Sequence, residues 1–352
     1  MLCARYAPYR LQFKEPSGTS RGVLTYKDCY FIQLYDDASP TRVGWGECAL
    51  FRGLGSDDCP EYEQVLAEAC RNVGKMPFEQ FLGTLGDWTS IRFGFECAWQ
   101  ELNGWRDYPS HFAQGNEPIV INGLVWMGDK STMLHRIEEK LQAGFRCVKL
   151  KIGAIDFDAE LDLLRVVRSR FSRHEIELRV DANGAFTPQD AMCKIERLAQ
   201  YDLHSIEQPI KPGQWEAMKT LCASSPIPIA LDEELVACRR VSPQIVSELL
   251  DAIAPQYIVL KPSLTGGLSG SDMWREAAIR RGIGWWITSA LESNVGLAAI
   301  ARYTASLHTA MPQGLGTGAL YTNNITSPLQ QVGETITYSS CSTWHYPDMQ
   351  WK

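Results

Sequence analysis

Three carboxylates recur late in the chain, each closing a short strand-forming run: Asp181 after Leu-Arg-Val, Glu207 after His-Ser-Ile and Asp232 after Ile-Ala-Leu. They stand 26 and 25 residues apart, about the length of one strand–helix–strand unit. Strands joined by helices run parallel, so this rhythm places the three acids at one end of one sheet. Ionised carboxylates sharing a pocket need a counter-charge, and a hard divalent cation with oxygen ligands supplies it. Asp181, Glu207 and Asp232 are therefore the candidate ligands of Mg²⁺, with Mn²⁺ able to substitute. Each is followed by a polar neighbour, Asn183, Gln208 and Glu233, suited to support the ligands.

The surrounding pattern gives the fold class, α/β. Strand candidates lie at 119–124, 147–152, 177–181, 204–207, 227–232, 257–261, 284–288 and 313–317. Amphipathic segments at 132–143, 157–171, 188–200, 213–223 and 272–281 fall between them. Eight strands with helical connections predict a barrel. No closing helix follows Thr317, so the expected form is a modified TIM barrel, (β/α)7β, over 111–320. Residues 1–110 read as an α+β capping domain, with strands at 24–34 and 43–47 and helical spacing over 60–105, broken near Gly83–Gly86. The segment 14–22 has the composition of a mobile loop. The tail, 321–352, turns from polar to aromatic and is expected to pack back on the capping domain.

Composition narrows the class. Apolar residues are 45% and charged ones 21%, an ordinary globular balance. A net charge of −7 without a basic stripe argues against nucleic acid. No apolar run reaches the ~18–20 residues that span a bilayer, and the N-terminus shows no signal-peptide core, so no membrane partner is expected. The 11 cysteines form no C-x-x-C pair, which fits a reducing compartment and no zinc site. The expectation is a cytoplasmic enzyme acting on a small molecule, and no feature fixes an oligomeric state.

Lysines flank the acids. In Val148-Lys149-Leu150-Lys151-Ile152 the strand period turns both lysines to one side and the aliphatics to the other. Ammonium groups ~7 Å apart on one strand face repel, so the pKa of at least one is expected to fall, suiting Lys151 to act as a general base. Lys261 ends the strand after Asp232 and falls across the mouth from Lys151. Ser289 sits where a helix begins after the seventh strand, a natural carboxylate position, and Glu292 there reads equally as cap or functional group. Gly314-Leu-Gly-Thr-Gly318 lacks the context of a phosphate loop. No G-x-S-x-G occurs and no histidine ends a barrel strand, which leaves serine hydrolysis and histidine base chemistry unsupported.

Together, Lys149-Leu-Lys151, Asp181, Glu207, Asp232 and Lys261 resemble the enolase superfamily, in its muconate-lactonising subgroup. Gly44-Trp-Gly-Glu47 is similar to the family's capping-domain signature and Phe93-Gly-Phe-Glu-Cys-Ala98 to its cap helix. The resemblance implies a lysine that takes a proton α to a carboxylate, with Mg²⁺ stabilising the enediolate. Arg21 and its loop, Ile121-Asn-Gly-Leu124 and the Pro262–Gly267 turn look most like the lyases that dehydrate 2-succinyl-6-hydroxy-2,4-cyclohexadiene-1-carboxylate in menaquinone biosynthesis. Racemases, dipeptide epimerases and cycloisomerases of the subgroup are the alternatives, and a non-catalytic metal-binding scaffold is the remote one. Dipeptide epimerases carry an acidic pair after the eighth strand, where this chain has glycines. On this resemblance Lys151 and Lys261 are catalytic, and Lys149, Asn183, Ser263, Ser289 and Arg21 are the expected substrate contacts.

Overall fold

The computed structural model describes residues 1–19 and 22–352. The N-terminal part is an antiparallel meander of β1 (Leu2–Thr19), β2 (Gly22–Asp36) and β3 (Ser39–Cys48). Side chains of β2 alternate between its two faces. Tyr30, Ile32 and Leu34 pack on α1 (Tyr62–Asn72), α2 (Phe78–Thr84) and α3 (Thr89–Leu102). Phe31 turns the other way, to Leu291, Val295 and Tyr321. The sheet is thus held between its own helices and the rest of the molecule.

Glycines set the closeness of that packing. A Cβ at Gly44 would stand 2.0 Å from the Ala98 carbonyl oxygen, and one at Gly46 1.9 Å from that of Gly94. The Gly-Trp-Gly-Glu motif therefore lets β3 lie backbone to backbone on α3. Two expectations need correction here. Of the segment 14–22, the described residues 14–19 and 22 are strand and not open loop: β1 and β2 pair out to Thr19 and Gly22, with a register shift between Gln12 and Ser17. The helical span 60–105 breaks twice, and Pro77 marks the unanticipated break, at the start of α2.

The chain then runs through β4 (Ile119–Val120), β5 (Gly123–Val125), α4 (Lys130–Gln142), β6 (Cys147–Lys151), α5 (Phe157–Arg168), β7 (Glu177–Asp181), α6 (Ala191–Leu198) and β8 (Ser205–Glu207). It continues with α7 (Trp215–Ser224), β9 (Ile229–Leu231), α8 (Glu233–Val236), α9 (Pro243–Ile253), β10 (Tyr257–Leu260), α10 (Gly267–Arg280), β11 (Gly284–Ile287) and α11 (Asn294–Ser306). Strands β5 to β11 form one seven-stranded parallel sheet in chain order. The predicted eighth strand, 313–317, is reduced to two bridges, Gln313 to Ile121 and Gly314 to Thr288. Asn122 N–H donates to the Gln313 carbonyl (2.9 Å) and Gly314 N–H to that of Ile287 (2.8 Å), so the ring still closes. The predicted strand 119–124 is split, because β4 pairs antiparallel with β13 (Thr335–Tyr338) of the C-terminal hairpin, whose other strand is β12 (Leu329–Val332).

Outward-facing aliphatics such as Val148, Leu150 and Val180 share one core with Leu163, Leu164 and Val167 of the helical layer. Inside the ring, Ala230, Val259 and Trp286 form a separate plug. The Arg179 guanidinium lies over Trp286, 4.5 Å from its ring centre. The barrel is filled below, and its polar space is at the C-terminal ends of the strands. The tail divides its contacts. Its hairpin joins the barrel, while Tyr346 stacks on Trp45 at 3.7 Å and Lys352 exchanges backbone hydrogen bonds with Tyr6 in β1.

Candidate active site

Parallel register brings the strand-end residues level. Lys151 pairs with Asp181 and Asp181 with Glu207. Glu207 pairs with Ala230, so the stagger of the ring carries Asp232 two residues further out. Because side chains alternate, Lys149, Lys151, Asp181 and Glu207 all face the interior.

Three lysine amines meet these acids. Lys149 Nζ donates to both Glu207 oxygens (2.8 and 3.1 Å) and lies 3.5 Å from Asp181. Lys151 Nζ donates to Asp181 Oδ2 (2.9 Å) and Asn183 Oδ1 (2.7 Å). Lys261 Nζ pairs closely with Asp232 Oδ2. Burial pulls the Lys149 pKa down, but Glu207 and Asp181 outweigh it and hold the amine above its ordinary value. At Lys149 the acids, not lysine–lysine repulsion, decide the direction. Burial also opposes ionisation of Asp181, yet Lys151 and Lys149 hold it well below the usual carboxylate range. Lys261 is likewise raised, with Asp232 and Glu233 outweighing burial. Glu207 is pushed well above the usual range by burial and then by the like charge of Asp181.

Three carboxylates at one mouth form an all-oxygen donor set, which fits a hard divalent cation. Asp232 Oδ1 is buried without a hydrogen-bond partner, a lone-pair oxygen with nothing to bind. Among the described residues the acids do not converge into a ready-made cluster, since each leans on an ammonium instead.

Asn183 and Gln208, the residues two and one past their acids, both hold left-handed backbone, φ 45° and 38°. Such strain in non-glycine residues is commonly kept at functional positions. Asn183 Nδ2 donates to Glu233 Oε1 (3.0 Å), linking the ends of β7 and β9. Gln208 Oε1 accepts from the Asp232 and Glu234 amides, so it shapes the strand end rather than facing the cavity.

A cavity of about 260 Å³ opens above this floor. Its barrel walls include Leu124, Trp126, Ser289 and Thr317, and its roof comes from Gly22–Leu24 and Phe51–Leu54 of the N-terminal part. Ser289 Oγ is 2.6 Å from Thr317 Oγ1 in the wall. Ser263 is different: it is fully buried, donates to Glu292 and does not line the cavity. Glu292 in turn accepts from the Ala290 amide (2.7 Å), a structural clasp on the loop after β11. Arg21 lies outside the described residues.

Three contributors escaped the sequence reading. Trp126 sets its ring 5.8 Å from Lys151 Nζ, and its position two residues after Leu124 on an inward-facing strand was the available signal. The turn 51–54 is fastened by Asp58, which accepts from Arg52 Nη1 (2.7 Å) and the Gly53 amide (2.8 Å). Lys27 is buried in β2 with no sequence mark to distinguish it from a surface lysine.

Residues 132–337 match the family described as Enolase C-terminal domain-like. The o-succinylbenzoate synthase of Desulfotalea psychrophila (strain LSv54 / DSM 12343) is 47% identical over 354 residues, spanning 91% of this chain and 94% of that protein. The crystal structure of MenC from Desulfotalea psychrophila LSv54 superimposes with a TM-score of 0.82 at 42% identity, over 96% of this chain and 99% of that one. A dipeptide epimerase from Enterococcus faecalis V583, complexed with Mg and the dipeptide L-Leu-L-Tyr, shares the fold with a TM-score of 0.82 at 18% identity, over 96% of both chains. The chain belongs to the enolase superfamily.

Proposed function

We propose that the chain is an o-succinylbenzoate synthase, a lyase that converts 2-succinyl-6-hydroxy-2,4-cyclohexadiene-1-carboxylate to o-succinylbenzoate and water for menaquinone biosynthesis. The observation that carries the reading is the 47% identity to a synthase of that name over nearly the whole length of both chains. The level row Lys151, Asp181 and Glu207, with the Lys261–Asp232 pair, supports it chemically.

In this reading Asp181, Glu207 and Asp232 hold Mg²⁺, for which Mn²⁺ can substitute. The bound cation supplies positive charge against which the substrate carboxylate can carry added electron density. Lys151 Nζ takes the ring proton α to that carboxylate. The C–H electron pair moves toward that carboxylate and then into a new ring double bond as the neighbouring C–O bond breaks, and Lys151, now an ammonium, returns its proton to the departing hydroxyl, which leaves as water. Asn183 and Asp181 aim Lys151 through the bonds described above. Lys149 and Lys261 remain charged and stand beside the carboxylate and the ring. Ser289 meets the substrate from the wall, and Arg21 is assigned to its distal carboxylate. Soluble, cytoplasmic action on a small carboxylate completes the reading.

The test is direct. Purified protein with Mg²⁺ should consume the cyclohexadiene precursor, followed by its ultraviolet absorbance, and release o-succinylbenzoate identified by mass. Chelation should stop turnover, and Mg²⁺ or Mn²⁺ should restart it. A protein that leaves the precursor intact while racemising N-acylamino acids or epimerising dipeptides would overturn the assignment.

A further inference from the structure

The capping sheet and the barrel meet at one buried amine. Lys27 is 6% exposed, and its Nζ donates to the carbonyl oxygens of Ala290 (2.8 Å) and Leu291 (3.0 Å), both in the cavity wall. The ammonium also lies 5.5 Å from the ring of Phe51, in the turn that forms part of the roof. Lys27 follows Gly22–Leu24, the other part of the roof, by only a few residues on the same strand. We propose that Lys27 is a positioning residue that ties the two roof segments to the loop after β11, so that the roof closes in register with the wall that receives the substrate.

The physical argument is one of cost. Burying an ammonium is unfavourable unless charge and hydrogen bonds repay it. For packing against the barrel alone an apolar side chain would serve, as Cys29 and Phe31 do on the same face of the strand. Leu291 holds left-handed backbone, φ 62°, which a β-strand lysine stabilises by taking its carbonyl oxygen. Tyr321 Oη donates to that same oxygen (2.7 Å), so the tail holds the loop from a second side. Burial pushes the Glu47 carboxyl up and Lys27 pulls it back, which places a carboxylate near the ammonium. Glu47 itself caps α11 through the Ser293 and Gly296 amides (3.0 and 2.9 Å). Three pocket-lining pieces therefore depend on one side chain that touches no substrate.

The inference rests on the synthase reading, and its test separates the two. Lys27→Met keeps the length and the apolar stem without the donors. Misplacement on the ångström scale costs up to ~10²-fold in rate, so kcat/KM for the precursor should fall ~10- to 100-fold, most of it in KM. Lys27→Arg retains donors on a larger, planar head and should recover about half of that loss on a logarithmic scale, leaving KM above wild type. Hydrogen exchange by mass spectrometry gives a readout free of turnover: peptides covering 22–24 and 289–291 should lose protection in Lys27→Met, while those of β6 and β7 should not. If Lys27→Met does not fold, Lys27→Arg carries the test, with a raised KM and a kcat near wild type expected. Wild-type KM with unchanged protection in either folded variant would overturn the proposal. Failure of the wild-type enzyme to dehydrate the precursor would overturn the synthase reading alone, leaving the exchange result to decide the link.

Discussion

Replacing Lys149 by Met removes the charge that sits deepest among the acids, and its effect should reverse sign with the metal. The ammonium is within hydrogen-bond distance of both Glu207 oxygens and 3.5 Å from Asp181. Without it, Glu207 is a buried carboxylate beside two others, a position already unfavourable enough to push its pKa well up. Breaking one side of a buried ion pair costs ~3–5 kcal/mol. With ~2.1 cal/mol/K of unfolding entropy per residue, a chain of 352 residues loses ~1.4 °C of Tm per kcal/mol. In excess EDTA, Lys149→Met should therefore melt ~4–7 °C below wild type. A divalent cation sees the opposite balance. A unit charge ~5 Å from a divalent ion at an effective dielectric of ~20 repels it by ~7 kcal/mol, so losing the ammonium should tighten Mg²⁺ binding ~100-fold or more. Calorimetric titration with MgCl₂ measures that affinity, and thermal unfolding with and without EDTA measures the stability. Saturating Mg²⁺ should close the gap in Tm, since binding to the native state alone adds RT ln(1 + [L]/Kd). A variant that binds Mg²⁺ more weakly than wild type, or melts identically in EDTA, would refute the charge-balance argument.

Asp232→Asn should weaken Mg²⁺ at least ~10²-fold, because the amide puts a donor where a lone-pair oxygen stood unpartnered; far-UV circular dichroism should not change, and equal affinity would remove Asp232 from the ligand set. Lys151→Ala should lower kcat by ~10³-fold or more, since one amine serves proton removal and return, whereas Lys261→Arg should impair dehydration yet keep exchange of the α-proton with solvent deuterium. Exchange surviving Lys151→Ala and vanishing in Lys261→Ala would interchange their roles. Gly46→Ala puts a methyl 1.9 Å from a backbone oxygen of α3 and should cost ~3 kcal/mol or more, while Gly83→Ala in α2 meets nothing within 4 Å and should gain ~0.5–1 kcal/mol. Opposite shifts in Tm are the expected result, and equal ones would deny that β3 lies backbone to backbone on α3.

The legible part of this chain was what strand period and sheet direction enforce. An acid ending each of three successive parallel strands must face one mouth, and Lys149 and Lys151 must share a side, whatever the loops do. Loop residues carry no such guarantee. Ser263 and Ser289 both begin turns after barrel strands, yet one is buried against Glu292 and the other faces the cavity, because the path of each turn decides. The eighth strand failed for a related reason: Gly314 needs to be glycine to pass Thr288 Oγ1, which a Cβ would approach to 2.2 Å, so closure takes two bridges where a ladder was expected.

Pairings distant in sequence were the least visible. A lysine in an alternating strand such as β2 reads as a solvent-facing residue, and on most half-buried sheets it would be one. Over residues 29–34 both faces of the sheet are covered, one by α1–α3 and the other by barrel and tail, and Lys27 lies just before them on the barrel-facing side. The alternation therefore separates two interiors instead of inside from outside. That is why Phe31 and Ile32, adjacent in sequence, are both fully buried, and why the amine must find carbonyls 263 and 264 residues away. Local pattern could fix the acids because parallel strands repeat them at one level. It could not fix the roof, whose geometry is set where the first sheet docks on the loop after β11.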